Sequence, residues 1–461
     1  MSKLPSVQPI SGPRSPLNSA AALIEPLGYV EQEFRIEGTA ARYRLADRFD
    51  SRSTTPAGDA QWVDAGHAYA TRLLVRRPRE ATRCSGVVVV EWLNVSAGQD
   101  IDFMFAASRE LLLREGHVWV GASVQRVGVE RLVQWQPARY AGLSVAAEVA
   151  DPLDGSVLDP ADAFIGAAGG DVLCWDIFSQ IARLLRAPAA AALGLAPART
   201  VIAAGESQSA VRLGRYHDSI QPLSGAFDGF LLYDRGPMAR PRDDVAAPLI
   251  GIGTEFYAEY TGTVAPADGP KQRWWELAGA SHVSLAEMAG YVDPQVLRDA
   301  TQCADGQPLT LTAQLARSAP QRRHPLWSRV PNGDLVKAAL RALLCWIHEG
   351  RAPAATPRLV LDGQGRLVRD ADGQVAGGVR HAGYEVPCAT NVGVDEQGVR
   401  LAGYHQDFDR EAMRRRYGSA AGYVARVGQA VQANLAQGTL LPEEAVRVIE
   451  DARADAARLM G

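Results

Sequence analysis

The sequence predicts an α/β protein, with a mostly parallel central sheet covered by helices on both faces. Three observations carry that reading. Residues 86–92, 117–124, 200–204, 227–233, 248–253 and 273–277 are short, nearly all-apolar runs of the length expected for strands buried on both sides. Helix-periodic stretches at residues 102–115 and 171–185 stand between them. The segment Gly205-Glu206-Ser207-Gln208-Ser209 then marks a strand that turns at once into a helix.

Taken in order, residues 1–30 mix Pro, Ser and Gly without periodicity and are expected to be poorly ordered. Strand-like pieces follow at residues 29–37 and 68–75, around a polar turn segment at 50–59. The run 86–92 is a buried strand, 102–115 its helix and 117–124 the next strand. Residues 125–170 are too long for a simple connection and are expected to form a partly helical insertion. The helix 171–185, the strand 200–204 and the helix 207–217 come next, and three further strands complete the core. Beyond Gly279 the pattern loosens. Residues 334–348 read as an amphipathic helix ended by Gly350 and Pro353. Residues 356–405 read as irregular strands with turns at Asp362-Gly363 and Asp372-Gly373. Residues 409–459 read as two or three helices. The expected organisation is a core over 31–350 and a C-terminal extension over 351–461 packed on it.

The chain has 461 residues, 47% hydrophobic and 22% charged, which suits a soluble globular protein. Its formal net charge of −4 offers no case for nucleic acid or an anionic membrane as partner. Five cysteines without a C-x-x-C pair suggest neither a disulfide framework nor a zinc site. The first residues lack the apolar run of a secretory signal, and the longest apolar runs are too short to span a bilayer. A cytoplasmic setting is the expectation.

The pattern G-x-S-x-small around Ser207 has the layout of a nucleophile elbow, in which a serine rides a strained strand-to-helix turn. Small residues are needed two before and two after the nucleophile, because their atoms meet neighbouring backbone. Gly205 and Ser209 meet that need. The turn also leaves the Gln208 backbone N–H at a helix N-terminus, suited to holding an oxyanion. A second donor is expected from the loop after strand 86–92, at Leu93 or Asn94.

A serine nucleophile needs a base, and the base needs an acid that fixes its tautomer. His282 follows the last core strand through Ala278-Gly279-Ala280-Ser281, small residues that let the loop curl over the strand end. His67 and His117 precede the elbow, His217 rides on its helix, and His324, His348, His381 and His405 lie far beyond the last strand. The acid is open among Glu255, Glu259 and Asp234, in that order of preference, all near strand ends between elbow and histidine.

The chain resembles a family of bacterial and fungal α/β-hydrolase-domain proteins regarded as esterases. The resemblance rests on Val90-Glu-Trp-Leu-Asn-Val-Ser96, Ser123-Val-Gln-Arg-Val-Gly128, Asp176-Ile-Phe-Ser-Gln180, Gly205-Glu-Ser-Gln-Ser-Ala210 and Gly279-Ala-Ser-His282. Further along it rests on the helix end from Trp346 to Pro353, Gly377-Gly-Val-Arg380 with Val386-Pro387, and Leu440-Leu441, so that it covers roughly residues 60–460. It implies an α/β-hydrolase fold with Ser207 and His282 catalytic, no cofactor or metal, and a small-molecule ester as substrate. It also implies a pocket walled by residues 124–169 and 377–387, contributing Arg126, Trp135 and Tyr140, and Tyr257 is a further substrate-binding candidate. One departure stands out: members often read Thr-Glu-x-Asp at the acid loop, where this chain has Thr254-Glu255-Phe256-Tyr257. Acyl transfer, lactone or amide cleavage with the same residues, and non-catalytic ligand binding, are the alternatives to ester hydrolysis.

Overall fold

In the computed structural model, residues 3–12, 14–45, 58–158, 171–235, 240–322, 324–395 and 399–461 are described. The polar turn at 50–59 and the end of the 125–170 insertion therefore fall largely outside them. The chain divides into two compact units, residues 1–105 with 109–249, and residues 250–461 with 106–108. The two units meet in the chain near residue 249, whereas the expected organisation divides it at residue 350.

The first unit is built on strands β1 (Ser6–Pro9), β2 (Tyr29–Arg44), β3 (Gln61–Pro78), β4 (Val87–Trp92), β5 (Val118–Ala122), β6 (Thr200–Glu206) and β7 (Gly229–Tyr233), in the spatial order β1-β2-β3-β5-β4-β6-β7. β5, β4, β6 and β7 run parallel, with Val90 opposite both Val120 and Ala203. β1, β2 and β3 are antiparallel additions at one side. The parallel strands are buried at every residue, which is why they read as continuous apolar runs and not as alternation. Helices α1 (Phe103–Glu115), α2 (Arg126–Trp135), α3 (Cys174–Arg186) and α4 (Gln208–Arg215) connect them. The N-terminal segment is ordered, contrary to expectation: Ser6–Pro9 pairs along β2, and Leu17 and Ile24 are fully buried. Its apolar anchors are single residues among Pro and Ser, too sparse to show a period.

The second unit begins with β8 (Leu249–Gly253), α5 (Glu255–Thr261) and β9 (Gln272–Glu276), with β8 and β9 neighbours in the sheet. Helix α6 (Asn332–Glu349) matches the amphipathic stretch seen in the sequence. The irregular region contributes a backbone bridge from Val379 to Leu277, just past β9, and the hairpin β10 (Ala389–Val392) with β11 (Tyr404–Asp407). Helices α7 (Arg410–Tyr417), α8 (Ala420–Gln437) and α9 (Pro442–Met460) close on a core of Met413, Tyr423, Val427, Val431 and Val448 that also takes in Ala382 and Val386.

Candidate active site

On the first unit, β6 runs into α4 through Ser207, whose backbone is held at φ +53°, ψ −122°. For a residue with a side chain this is a strained conformation, of the kind found where the surrounding structure over-determines the backbone. Ser207 donates its N–H to the Tyr233 carbonyl at 2.9 Å, and its own carbonyl accepts from Val211 at 3.0 Å. Gly205 is required here. A Cβ on it would stand 3.1 Å from the Ala210 nitrogen and from the Ser209 carbonyl. Ser209 is fully buried, and its hydroxyl accepts the Glu206 N–H at 3.0 Å while donating to the Glu206 carbonyl at 2.8 Å. The serine thus stitches the turn together where glycine would only fit it.

Gln208, the first residue of α4, has no hydrogen-bond partner for its N–H among the described residues. Its side chain is fixed: Nε2 donates to Gln125 Oε1 at 3.0 Å, which also accepts Trp92 Nε1 at 3.0 Å. Gln125 in turn donates to Asp171, which pairs with Arg212 of α4 at 3.2 Å.

The loop after β4 is tied directly to the elbow. Asn94 Nδ2 donates to the Glu206 carbonyl at 3.1 Å and to its carboxylate at 3.0 Å. The backbone amides expected to hold an oxyanion have partners already, however. Asn94 N–H donates to the Ile101 carbonyl at 3.1 Å, and Leu93 N–H to that of Ala122 at 3.4 Å. Closure of the loop on itself needs the Asn94 amide, since Asn94 and Ile101 exchange both bonds. The next residue, Val95, has an N–H without a partner among the described residues.

Sequence reading missed the scaffold under this loop. Arg72 and Arg76, four residues apart on β3, are fully buried. Arg72 meets Asp100 at 2.9 Å and donates to Ser123 at 3.0 Å, while Arg76 meets Glu31 at 2.9 Å and pairs with Asp102. Polar residues in a strand ordinarily face water, so residue type alone does not mark these two as buried. Glu91, at the end of β4, accepts the Met104 and Phe105 N–H groups at 2.8 and 2.9 Å and Trp119 Nε1 at 2.9 Å. Burial, and then the nearby Asp102, push its carboxyl well above the usual range.

The expected pocket residues of this unit fare differently. Tyr140 is fully buried, and its hydroxyl donates to Glu33 at 2.7 Å, so it is a packing residue and not a wall. Burial and the Glu33 carboxylate outweigh Arg72 and hold its phenol well above the ordinary value. Trp135 lies 6.4 Å from the Tyr140 ring, centroid to centroid. Arg126 opens α2, donating Nε to Glu130 one turn on and its backbone N–H to Asp171 at 2.7 Å. Asp234, the third acid candidate, ends β7 fully buried with φ +47°.

On the second unit, the small residues before His282 are pinned from several sides. Gly279 N–H donates to Glu255 Oε1 at 2.6 Å, and Ser328 Oγ donates to the Gly279 carbonyl. Asn332 Nδ2 donates to the Ser281 carbonyl at 2.8 Å. His282 itself is 7% exposed, and its N–H donates to the Leu401 carbonyl at 3.1 Å. Its ring lies against Phe256, at 4.9 Å between centroids, and edge-on to Tyr257 at 5.5 Å. The histidine ring and Tyr257 are thus in contact.

Glu255 is fully buried and engaged elsewhere. Besides Gly279, it accepts from Arg369 at 2.6 Å and from the Gly393 N–H at 3.0 Å, both at Oε2. Glu259 accepts the Leu367 N–H at 3.0 Å and stands with Asp362, Arg366 and Arg369 beside a cavity of about 310 Å³. Both carboxylates thus fasten the irregular region to α5. Among the described residues no group of three or more His, Cys, Asp or Glu side chains is arranged to hold a metal ion, and no helix is long and apolar enough to cross a membrane.

A family model described as an alpha/beta hydrolase domain matches residues 6–450. No curated relative matches the chain. Among solved structures, a glucuronoyl esterase from Solibacter usitatus aligns at 9% identity over 58% of this chain and 70% of its own, with a TM-score of 0.28. A serine hydrolase without lid from Xanthomonas campestris aligns at 11% identity over 47% and 72%, with a TM-score of 0.25. Esterase 2 of Thermogutta terrifontis, phosphoramylated by tabun, aligns at 12% identity over 47% and 71%, with a TM-score of 0.23.

Proposed function

The chain belongs to the alpha/beta hydrolase domain family, and from that premise we propose that it hydrolyses a carboxylic ester of a small molecule, with Ser207 as nucleophile. The observation that carries this reading is the backbone of Ser207: φ +53° at a strand-to-helix turn, followed by a helix whose first N–H is uncommitted. A turn that only reverses the chain has no need of a strained serine, since glycine adopts positive φ without cost.

In the proposed reaction His282 removes the proton of Ser207 Oγ, which attacks the acyl carbon. The Gln208 N–H stabilises the oxyanion, aided by the positive end of α4. From the loop after β4 the second donor is Val95, because the Asn94 amide is already spent on Ile101 within that loop and the Leu93 amide on Ala122 at the end of β5. Asn94 contributes by tying the loop to Glu206. His282 returns its proton to the leaving alcohol, and water then cleaves the acyl-enzyme. Tyr257, against the histidine ring, and Arg126, at the start of α2, are the substrate-facing side chains this reading retains.

Ser207→Ala is expected to abolish turnover of p-nitrophenyl esters and labelling by a fluorophosphonate probe, with the circular dichroism spectrum unchanged. Wild-type turnover in that variant would refute the proposal. Product analysis with added alcohol or amine separates hydrolysis, which yields only free acid, from acyl transfer.

A further inference from the structure

The second unit holds a cavity of about 360 Å³ whose residues take no part in the chemistry proposed above. It lies between the segment before α6, the hairpin of β10 and β11, and helices α8 and α9. Its size falls within the range of pockets that take small organic molecules. Val427 of α8, Val448 and Ala452 of α9, and Val330 and Pro331 before α6 give it apolar walls.

Two donors of this lining are uncommitted among the described residues. Asn391, on β10, is 8% exposed. Its Oδ1 accepts the Arg329 N–H at 3.0 Å and faces His405 Nδ1 at 2.9 Å. A backbone N–H can only donate, so the oxygen side of this amide is fixed. That leaves Nδ2, buried with its residue, as a donor without a partner. The other donor is the Arg329 guanidinium, which is exposed and meets no carboxylate. The remaining charges of the lining are paired. Arg447 meets Asp334 at 2.5 Å and Asp451 at 3.1 Å, and Asp455 meets Arg458 at 2.7 Å. Arg329 also stands near the second histidine of the hairpin pair. Burial lowers the His405 pKa, Asp407 at 2.8 Å raises it, and the charge of Arg329 lowers it further.

We propose that this cavity binds a monocarboxylic acid with a compact apolar body. The carboxylate sits on the Arg329 guanidinium and Asn391 Nδ2, and the aliphatic or aryl part lies against Val427, Val448 and Ala452. A free cation beside a free neutral donor suits an acceptor that carries negative charge. Asp451 and Asp455 limit that charge to a single unit, since a second would face theirs across the same space. The apolar walls favour a ligand that gains by leaving water, which an inorganic anion does not. The site stands whether or not Ser207 is a nucleophile.

The experiment titrates benzoate and hexanoate into the full chain by calorimetry while NMR follows the His405 ring. Benzamide serves as the neutral counterpart of benzoate, and inorganic phosphate as an anion without an apolar body. Both carboxylates should bind saturably, and benzamide at least about tenfold more weakly than benzoate. The bound anion offsets Arg329 and favours the imidazolium, so the His405 titration should move to higher pH. Arg329→Gln, at an exposed side chain, should weaken benzoate by about tenfold or more. Ala454→Trp, from an exposed position of the lining on α9, should obstruct both carboxylates. Unchanged benzoate affinity in Arg329→Gln, with a His405 titration that benzoate does not move, overturns the proposal and places any binding elsewhere. Phosphate that displaces both carboxylates overturns the ligand class. If Arg329→Gln fails to fold, Ala454→Trp decides, because undiminished binding in it excludes the cavity.

Discussion

Ser207 is held at φ +53° because three neighbours leave it no alternative. Its N–H is fixed to Tyr233, Gly205 lets the backbone of Ser209 and Ala210 pass at contact distance, and Ser209 bonds both backbone groups of Glu206. Gly205→Ala places a methyl 3.1 Å from backbone atoms that cannot swing aside. It is expected to cost about 1–3 kcal/mol of stability and to lower kcat by at least about tenfold, since small misplacements of a reacting group are expensive. Urea denaturation and ester kinetics on the one variant check both. At this scale the sequence was legible where residue type and spacing are dictated by backbone sterics, as at Gly205, Ser207 and Ser209. It was not legible at the carboxylates. Glu255 sits where a partner for His282 is expected, yet Arg369, more than a hundred residues further on, receives its charge.

At the scale of elements, the loop from Leu93 to Asp102 is positioned by β3 as much as by its own turns. Arg72 holds Asp100, Arg76 holds Asp102, and Asn94 locks the loop to the elbow. Arg72→Met leaves Asp100 as a buried carboxylate without its guanidinium, while Glu33 keeps Arg139 at 2.7 Å. Losing one partner of such a buried pair is expected to cost about 3–5 kcal/mol, far more than any surface arginine. The accompanying fall in Tm is the measurement, and a change within error would contradict the buried network. The parallel strands were readable because burial on both faces admits only apolar side chains. β3 was readable only in its apolar part, since its arginines look solvent-facing until their partners from β2 and the loop are seen.

At the scale of the molecule, the residues proposed for catalysis are distributed over both units, Ser207 on the first and His282 on the second. The second unit binds its C-terminal helices to α6 through Asp334. That carboxylate is buried, which alone would raise its pKa, but His381, Lys337 and Arg447 outweigh burial and hold it at about 2. A carboxylate depressed in the folded state contributes stability above its unfolded pKa and loses it as pH falls towards the folded one. Acidification from about pH 4 to about pH 2 should therefore remove about 2 kcal/mol that Asp334→Asn, already weakened at neutral pH, no longer has to lose. Denaturant midpoints of the two proteins against pH test this, and parallel acid profiles would rule it out.

The sequence by itself determined the strand and helix order, the elbow at Ser207 and the placement of His282 after the last strand of the core. Each of these depends on short-range rules: apolar periodicity, the steric need for small residues in a tight turn, and chain order along a sheet. Tertiary structure alone decided which partners the buried carboxylates meet and that Tyr140 is buried against Glu33. Those outcomes depend on which charges meet after residues far apart in the chain are brought together and cut off from water, and no local pattern records that.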